Sequence, residues 1–173
     1  MNIITGLLVQ AVFFAVLLVS FSENIPQSVA SVSVIKDVDE NELLWMAKAM
    51  YFEAGGESLA GKLAIGLVIK NRINDGRYPN TIYETITQSK RNLNGDAILH
   101  KCQFNWYCDG KSDEPNYTSA AWAKSLYAAR AVLEGRVIDF TDGATHFHNP
   151  KVFPNWGYPK MAQIDGHTFY KRN

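Results

Sequence analysis

Two glutamates, Glu53 and Glu57, offer the chain its clearest acid/base chemistry, and they bracket the short stretch Ala54-Gly55-Gly56. Upstream, Leu43, Met46, Ala47 and Met50 recur at the i, i+3, i+4, i+7 spacing of one helical face. Glu53 continues that same apolar stripe. A carboxylate at the core-facing end of a helix is costly to ionise, so its pKa should rise toward the range a general acid needs. Gly55 and Gly56 beside it leave room for a ligand. The plainer reading is a glutamate at a frayed helix end with its head in water. Glu57 would lie one turn beyond Glu53 if the helix ran on through the glycines, and is then a candidate second carboxylate.

Other constellations are weaker. No G-x-S-x-G occurs, so a serine nucleophile has no supporting motif. His146 and His148 stand two apart on an extended stretch and project to one side. With His167 or a cysteine they could make a zinc site, but no H-E-x-x-H accompanies them, and hydrogen bonding to a ligand is the alternative. Cys102 and Cys108, close together in a chain with an export-like start, suggest a local disulfide rather than a catalytic thiol.

The elements that must position these residues are legible in part. Asp39 with Glu42 gives a capping-box-like start to the Glu53 helix, and the glycines end it. Ser58 caps a second helix from Leu59 to about Ile73, apolar nearly all round and so central. Thr81 and Glu84 open a short helix with Ile82 and Ile86 turned inward. Residues 88–100 are polar and read as a surface loop. Ser119 to Glu134 forms a further helix, with the stripe Trp122, Leu126, Ala129 and Leu133, stopped by Gly135. The pattern then becomes extended. Val137–Phe140 and Thr145–His148 flank Asp142-Gly143, and Met161–Ile164 and His167–Tyr170 flank Asp165-Gly166, as two hairpins. Phe153, Trp156 and Tyr158 lie in the aromatic loop between them. The fold class is α+β, a helical N-terminal half followed by a small antiparallel β half.

Ile3 to Phe21 is almost unbroken apolar sequence, and residues 1–22 read as a signal peptide or membrane anchor. Residues 23–38 follow as a linker, which leaves 39–173 for one catalytic domain. The expected location is outside the cytoplasm, in periplasm, cell wall or medium. Lys plus Arg and Asp plus Glu both number 17, so nothing in the charge balance suggests a nucleic-acid partner. Aromatic residues make up 12% of the chain, and several lie in loops, where they suit sugar rings.

The same residues carry a family resemblance. Ala47 to Glu57 resembles the A-x-x-I-Y-x-E-A-x-G-E signature of the SleB-type cell wall hydrolases, the spore-cortex-lytic enzyme family. Gly61 to Arg72 is similar to that family's G-x-x-A-V-x-x-V-I-L-N-R segment, and Arg77 to Ile82 to its R-F-P-x-T-V turn. Cys102-Gln103-Phe104-Asn105-Trp106 resembles C-Q-F-S-W, with Asn105 where serine is usual. Ala144 to His148 resembles A-T-H-Y-H, and Gly166 to Tyr170 the closing G-x-H-x-F-Y. The matches keep their order from about residue 43 to the C-terminus.

The resemblance implies a lysozyme- or transglycosylase-like fold and a peptidoglycan-cleaving activity that needs no cofactor. It places the catalytic acid/base on Glu53. A lytic reaction, closing a 1,6-anhydro ring on muramic acid, needs that one carboxylate; hydrolysis needs a second, for which Glu57 is the candidate. Gln103, Phe104 and Trp106 are then candidates for a substrate wall, although both aromatics suit a core equally well. His146, His148, Tyr51 and Tyr170 are candidates for positioning the sugar. A monomer acting on glycan strands is expected, with attachment to a membrane through residues 3–21 if the leader is retained. A zinc-dependent N-acetylmuramoyl-L-alanine amidase and an inactive wall-binding module are the alternatives.

Overall fold

The structure is a computed structural model and describes residues 37–173. The expected leader at 1–22 and nearly all of the expected linker at 23–38 lie outside the described residues. No helix among the described residues is long and apolar enough to cross a membrane.

Helix α1 spans Glu40–Glu53. Its cap is Asp39, whose carboxylate accepts from Asn41 N at 2.8 Å and Glu42 N at 3.0 Å. The capping box does not close. Glu42 instead accepts from Ile82 N at 3.3 Å, which ties α1 to α3 (Ile82–Thr87). Leu43, Met46, Ala47 and Met50 are all buried, as their spacing requires. The helix does not run on to Glu57. A Cβ at Gly55 would sit 2.6 Å from Tyr51 O, so the chain turns away there, and only glycine fits.

Helix α2 (Leu59–Ile73) is the central element and is buried on almost every side. Ser58 Oγ caps it by accepting from Gly61 N at 3.3 Å. At Gly66 a side chain would collide with Met50, so α1 and α2 approach closely at that point. Helix α4 (Ala120–Leu133) packs against both. Its buried face is Trp122, Ser125, Ala128, Ala129 and Val132, rotated slightly from the expected stripe, with Leu126 and Leu133 at its edge. Gly135, at φ +75°, closes it.

Two segments depart from expectation. Residues 88–100 are not a loop but belong to an antiparallel hairpin of β1 (Ser89–Arg91) and β2 (Ala97–Cys102). The hairpin is largely exposed, so no apolar alternation marks it. Its tip is held by Asn92 Oδ1, which accepts from Asn94 N and Asp96 N, both at 2.9 Å. Conversely, Val137–Phe140 is not a strand. Asp139 uses its carboxylate to gather a turn, accepting from Thr141 N and Gly143 N and from the Asn71 amide.

The second hairpin forms as expected. β4 (Lys160–Ile164) and β5 (His167–Tyr170) join through Asp165-Gly166, and β3 (His146–His148) pairs with the other edge of β5. Phe147, His167 and Phe169 point into the core, where Phe147 lies 6.0 Å from Phe169. His146, His148 and Tyr170 therefore share the opposite, open face.

Candidate active site

Glu53 is the last residue of α1 and is half-buried. Burial pushes its carboxyl from 4.5 up to about 7, although the Arg72 guanidinium nearby pulls the other way. At neutral pH the group is therefore shared between acid and base forms. Lys62 fixes the end of this helix. It is fully buried, and its Nζ donates to Ala54 O at 2.6 Å and Gly55 O at 3.2 Å. A cation at a helix C-terminus satisfies carbonyls that have no partner within the helix.

Arg72, on α2, is the second buried cation, 2% exposed. Its Nε donates to Thr145 O at 2.7 Å. The guanidinium lies over the Phe104 ring, 5.3 Å from its centroid, and 5.5 Å from that of Tyr78. With the Gln103 amide set so that its oxygen faces the guanidinium, Nη2 and Nη1 donate to it at 3.1 and 3.2 Å. Arg72 thus reaches from Glu53 to the Gln103 loop on one side and to β3 on the other. Burial lowers its pKa, and Tyr78 and Glu53 counteract that; at about 10 it keeps its charge at neutral pH.

On the open face of β3 and β5, His146 lies 5.1 Å from Trp156 and 5.0 Å from Tyr158. Burial first, then Arg72, Arg172 and Arg77, depress the His146 pKa to about 4, so its imidazole is neutral at pH 7. His148 stacks on Tyr170 at 5.3 Å, with its Nε2 3.1 Å from Tyr170 Oη. A groove of about 450 Å³ opens here, with His148, Phe153, Lys160, Thr168 and Tyr170 among its lining residues. The candidates His146, His148 and Tyr170 are therefore brought together, and Trp156 and Tyr158 of the aromatic loop join them.

Other candidates fall elsewhere. Phe104, 1% exposed, and Trp106, 8% exposed, are core residues rather than a groove wall. The 3₁₀ turn Asn105–Cys108 tucks them inward: Phe104 lies under Arg72, and Trp106 stacks on Phe52 at 4.8 Å. Gln103, between them and β2, stays exposed. The Tyr51 hydroxyl accepts from Asn116 N at 3.3 Å, and its ring packs edge-on against Trp122. Cys102 and Cys108 form the disulfide.

Glu57 does not lie one turn above Glu53. It sits in the link between α1 and α2, and its carboxylate oxygens are 3.0 and 3.1 Å from Nδ1 of His167, a buried residue of β5. Gly61 and Gly166 make room for it, since a Cβ at either would press on that carboxylate. Next to it, the Asp165 carboxylate accepts from Ser58 N at 3.0 Å and Ser58 Oγ at 2.5 Å. These contacts clamp the α1–α2 link to the β4–β5 hairpin.

Among the described residues, no three His, Cys, Asp or Glu side chains converge as a metal ion requires. His167 is engaged by Glu57, His148 lies between Asn149 O and Tyr170 Oη, and both cysteines are oxidised.

Sequence reasoning missed Arg72 and Lys62 as site residues. The signal was present for Lys62: a single cation within the apolar run from Leu59 to Ile69 has to find acceptors within the core.

Comparison with known proteins agrees with this architecture. The catalytic domain of the Bacillus cereus SleB protein superposes with a TM-score of 0.58 at 24% identity, covering 79% of this chain and 94% of that one. The catalytic domain of the germination-specific lytic transglycosylase SleB from Bacillus anthracis gives the same score and identity, with 98% of its chain covered. The lysozyme-like α+β fold implied by the motifs is thus the one observed. In sequence, the spore cortex-lytic enzyme of Bacillus cereus is 28% identical over 154 residues, 86% of this chain and 51% of the relative. That of Oceanobacillus iheyensis is 29% identical over 145 residues, 82% of this chain and 45% of the relative. The chain thus spans about half the length of the curated relatives it matches. The profile of the cell wall hydrolase family matches residues 56–170, starting just after Glu53. Its span takes in Arg72, Gln103, His146, His148 and Tyr170, and the chain belongs to the cell wall hydrolase family.

Proposed function

We propose that the protein is an exported, monomeric peptidoglycan-cleaving enzyme that acts as a lytic transglycosylase through Glu53. The observation that carries the reading is the half-buried Glu53 carboxyl, raised to about 7 at the end of a pinned helix. A carboxyl near pH 7 can give a proton and take one back, which is what a single acid/base must do.

Glu53, protonated, donates to the glycosidic oxygen linking N-acetylmuramic acid to N-acetylglucosamine. The C1–O bond breaks, the electron pair leaves with that oxygen, and positive charge develops at C1. The muramic C6 hydroxyl then attacks C1, and its proton passes to the Glu53 carboxylate. The products are a 1,6-anhydro end and a free 4-hydroxyl, and the acid is restored. Gln103 and the neutral His146 supply hydrogen bonds to the sugars, and the Trp156–Tyr158 wall supplies stacking. Glu57 is held by His167, so the second carboxylate that hydrolysis calls for is committed elsewhere, which favours the lytic route.

Mass spectrometry of fragments released from purified peptidoglycan tests the reading. Anhydro-ended muropeptides, absent with Glu53→Gln, are expected. Reducing ends would replace the lytic route with hydrolysis, and freed stem peptides on intact strands would overturn the glycosidic reading.

A further inference from the structure

The β1–β2 hairpin carries two lysines beside its Ser89–Cys102 pair. The register shifts before Arg91 pairs with Ala97, so Lys90 and Lys101 flank an irregular stretch of the ladder. Among the described residues neither lysine has a carboxylate partner, and both are exposed. Two ammonium groups without an acidic partner among these residues are free to hold an anionic ligand.

Both lysines line one groove of about 370 Å³, together with Gln88, Ser89, Cys102 and Gln103. No acidic residue lines it. Ser89 Oγ is buried there and has no hydrogen-bond partner. The Gln103 backbone is fixed by donation from its N–H to Gln88 O at 2.8 Å, and the adjoining Cys102 is tied to Cys108. With its amide oxygen on Arg72, Gln103 keeps its NH2 group for an incoming acceptor. The groove therefore presents two ammonium groups and an amide donor to a ligand rich in anionic acceptors, with the unpartnered Ser89 hydroxyl buried in its lining. It ends at Gln103, whose partner Arg72 is the cation that acts on Glu53.

We infer that this groove binds a carboxylate of the peptide branch carried by muramic acid, so that the enzyme recognises strands whose stems are intact. The inference rests on the glycan-cleaving reading above. A branch rising from the muramic residue being cut must leave the cleft near the catalytic carboxylate, and the lysine-lined groove is linked to Glu53 through Gln103 and Arg72. Carboxylate held by ammonium groups and an amide N–H is the recognition chemistry involved.

Binding tests it without turnover. The full chain carrying Glu53→Gln is titrated with solubilised glycan strands bearing stem peptides, with strands stripped of them, and with strands whose stem carboxyls are amidated. Peptide-bearing strands are expected to bind about tenfold more tightly than the other two, an advantage that shrinks as salt rises. Adding Lys90→Ala and Lys101→Ala should remove the advantage; both side chains are exposed, and an unchanged circular dichroism spectrum establishes that the fold persists. Equal binding of all three strands, or an advantage that survives the double substitution, would overturn the inference alone. No binding of any strand would sink the glycan reading and the inference with it.

Discussion

The end of α1 and the link that follows it each carry a glutamate, and their surroundings differ in kind. Glu53 has the core on one side, Arg72 as its nearest charge, and a pKa raised by burial. Glu57 accepts from a buried histidine and sits in a slot that two glycines leave open. The first is close in free energy to both of its protonation states, while the second is fixed by its partner and joins two layers of the fold. Chemistry needs the former condition and architecture the latter. Proximity in sequence therefore says little about which carboxylate reacts.

The strongest way to break this comparison is Glu53→Gln. Loss of a general acid should cost about 10³-fold or more in product release, read by chromatography of muropeptides, with the fold retained. A residual rate within tenfold of the parent would remove Glu53 from the chemistry. Arg72→Met comes next. It deprives Thr145 O and Gln103 of a buried donor and should lower stability by about 3 kcal/mol or more, measured by denaturant unfolding. In whatever fraction folds, the Glu53 pKa should rise further, because Arg72 lowers it. The alkaline limb of the pH–rate profile should then move to higher pH.

The raised pKa also has a stability signature. A carboxyl at 4.5 when unfolded and about 7 when folded binds more protons in the folded state between those values, so stability falls as pH rises through that window. Glu53→Gln removes the penalty. Its stability relative to the parent should improve by up to about 3 kcal/mol between pH 4.5 and pH 8, seen as a rising difference in Tm. A difference that stays flat with pH would mean that the carboxyl ionises normally. The smallest effect is expected from Glu57→Gln, which keeps one acceptor for His167. We expect about 1 kcal/mol of stability lost and less than a tenfold change in rate. A loss of activity as large as that of Glu53→Gln would make Glu57 a second catalytic carboxylate.

Much of this was legible beforehand because it follows periodicity or turn chemistry. The α1 face, the Ser58 and Thr81 caps and the Asp165-Gly166 hairpin depend on residues near one another in sequence. What escaped depends on partners far along the chain. The β1–β2 hairpin has no buried face and so no alternation to read. Val137–Phe140 looks like a strand until Asp139 is seen holding Thr141, Gly143 and Asn71. Phe104 and Trp106 sit in a loop-like stretch, yet a single 3₁₀ turn folds both into the core. Arg72 escaped because its acceptors, Thr145 O and the Gln103 side chain, lie in other segments.

Arg72 also sets an order of events. Its Nε is satisfied by Thr145 O, which comes late in the chain, and the same residue's N–H donates to Tyr170 O at 2.9 Å. An unfinished or clipped chain lacking its last strand would leave this cation without a settled position, and with it the field that Glu53 feels. On the proposed reading, the capacity to cleave a glycan is then one of the last properties the chain acquires as it folds.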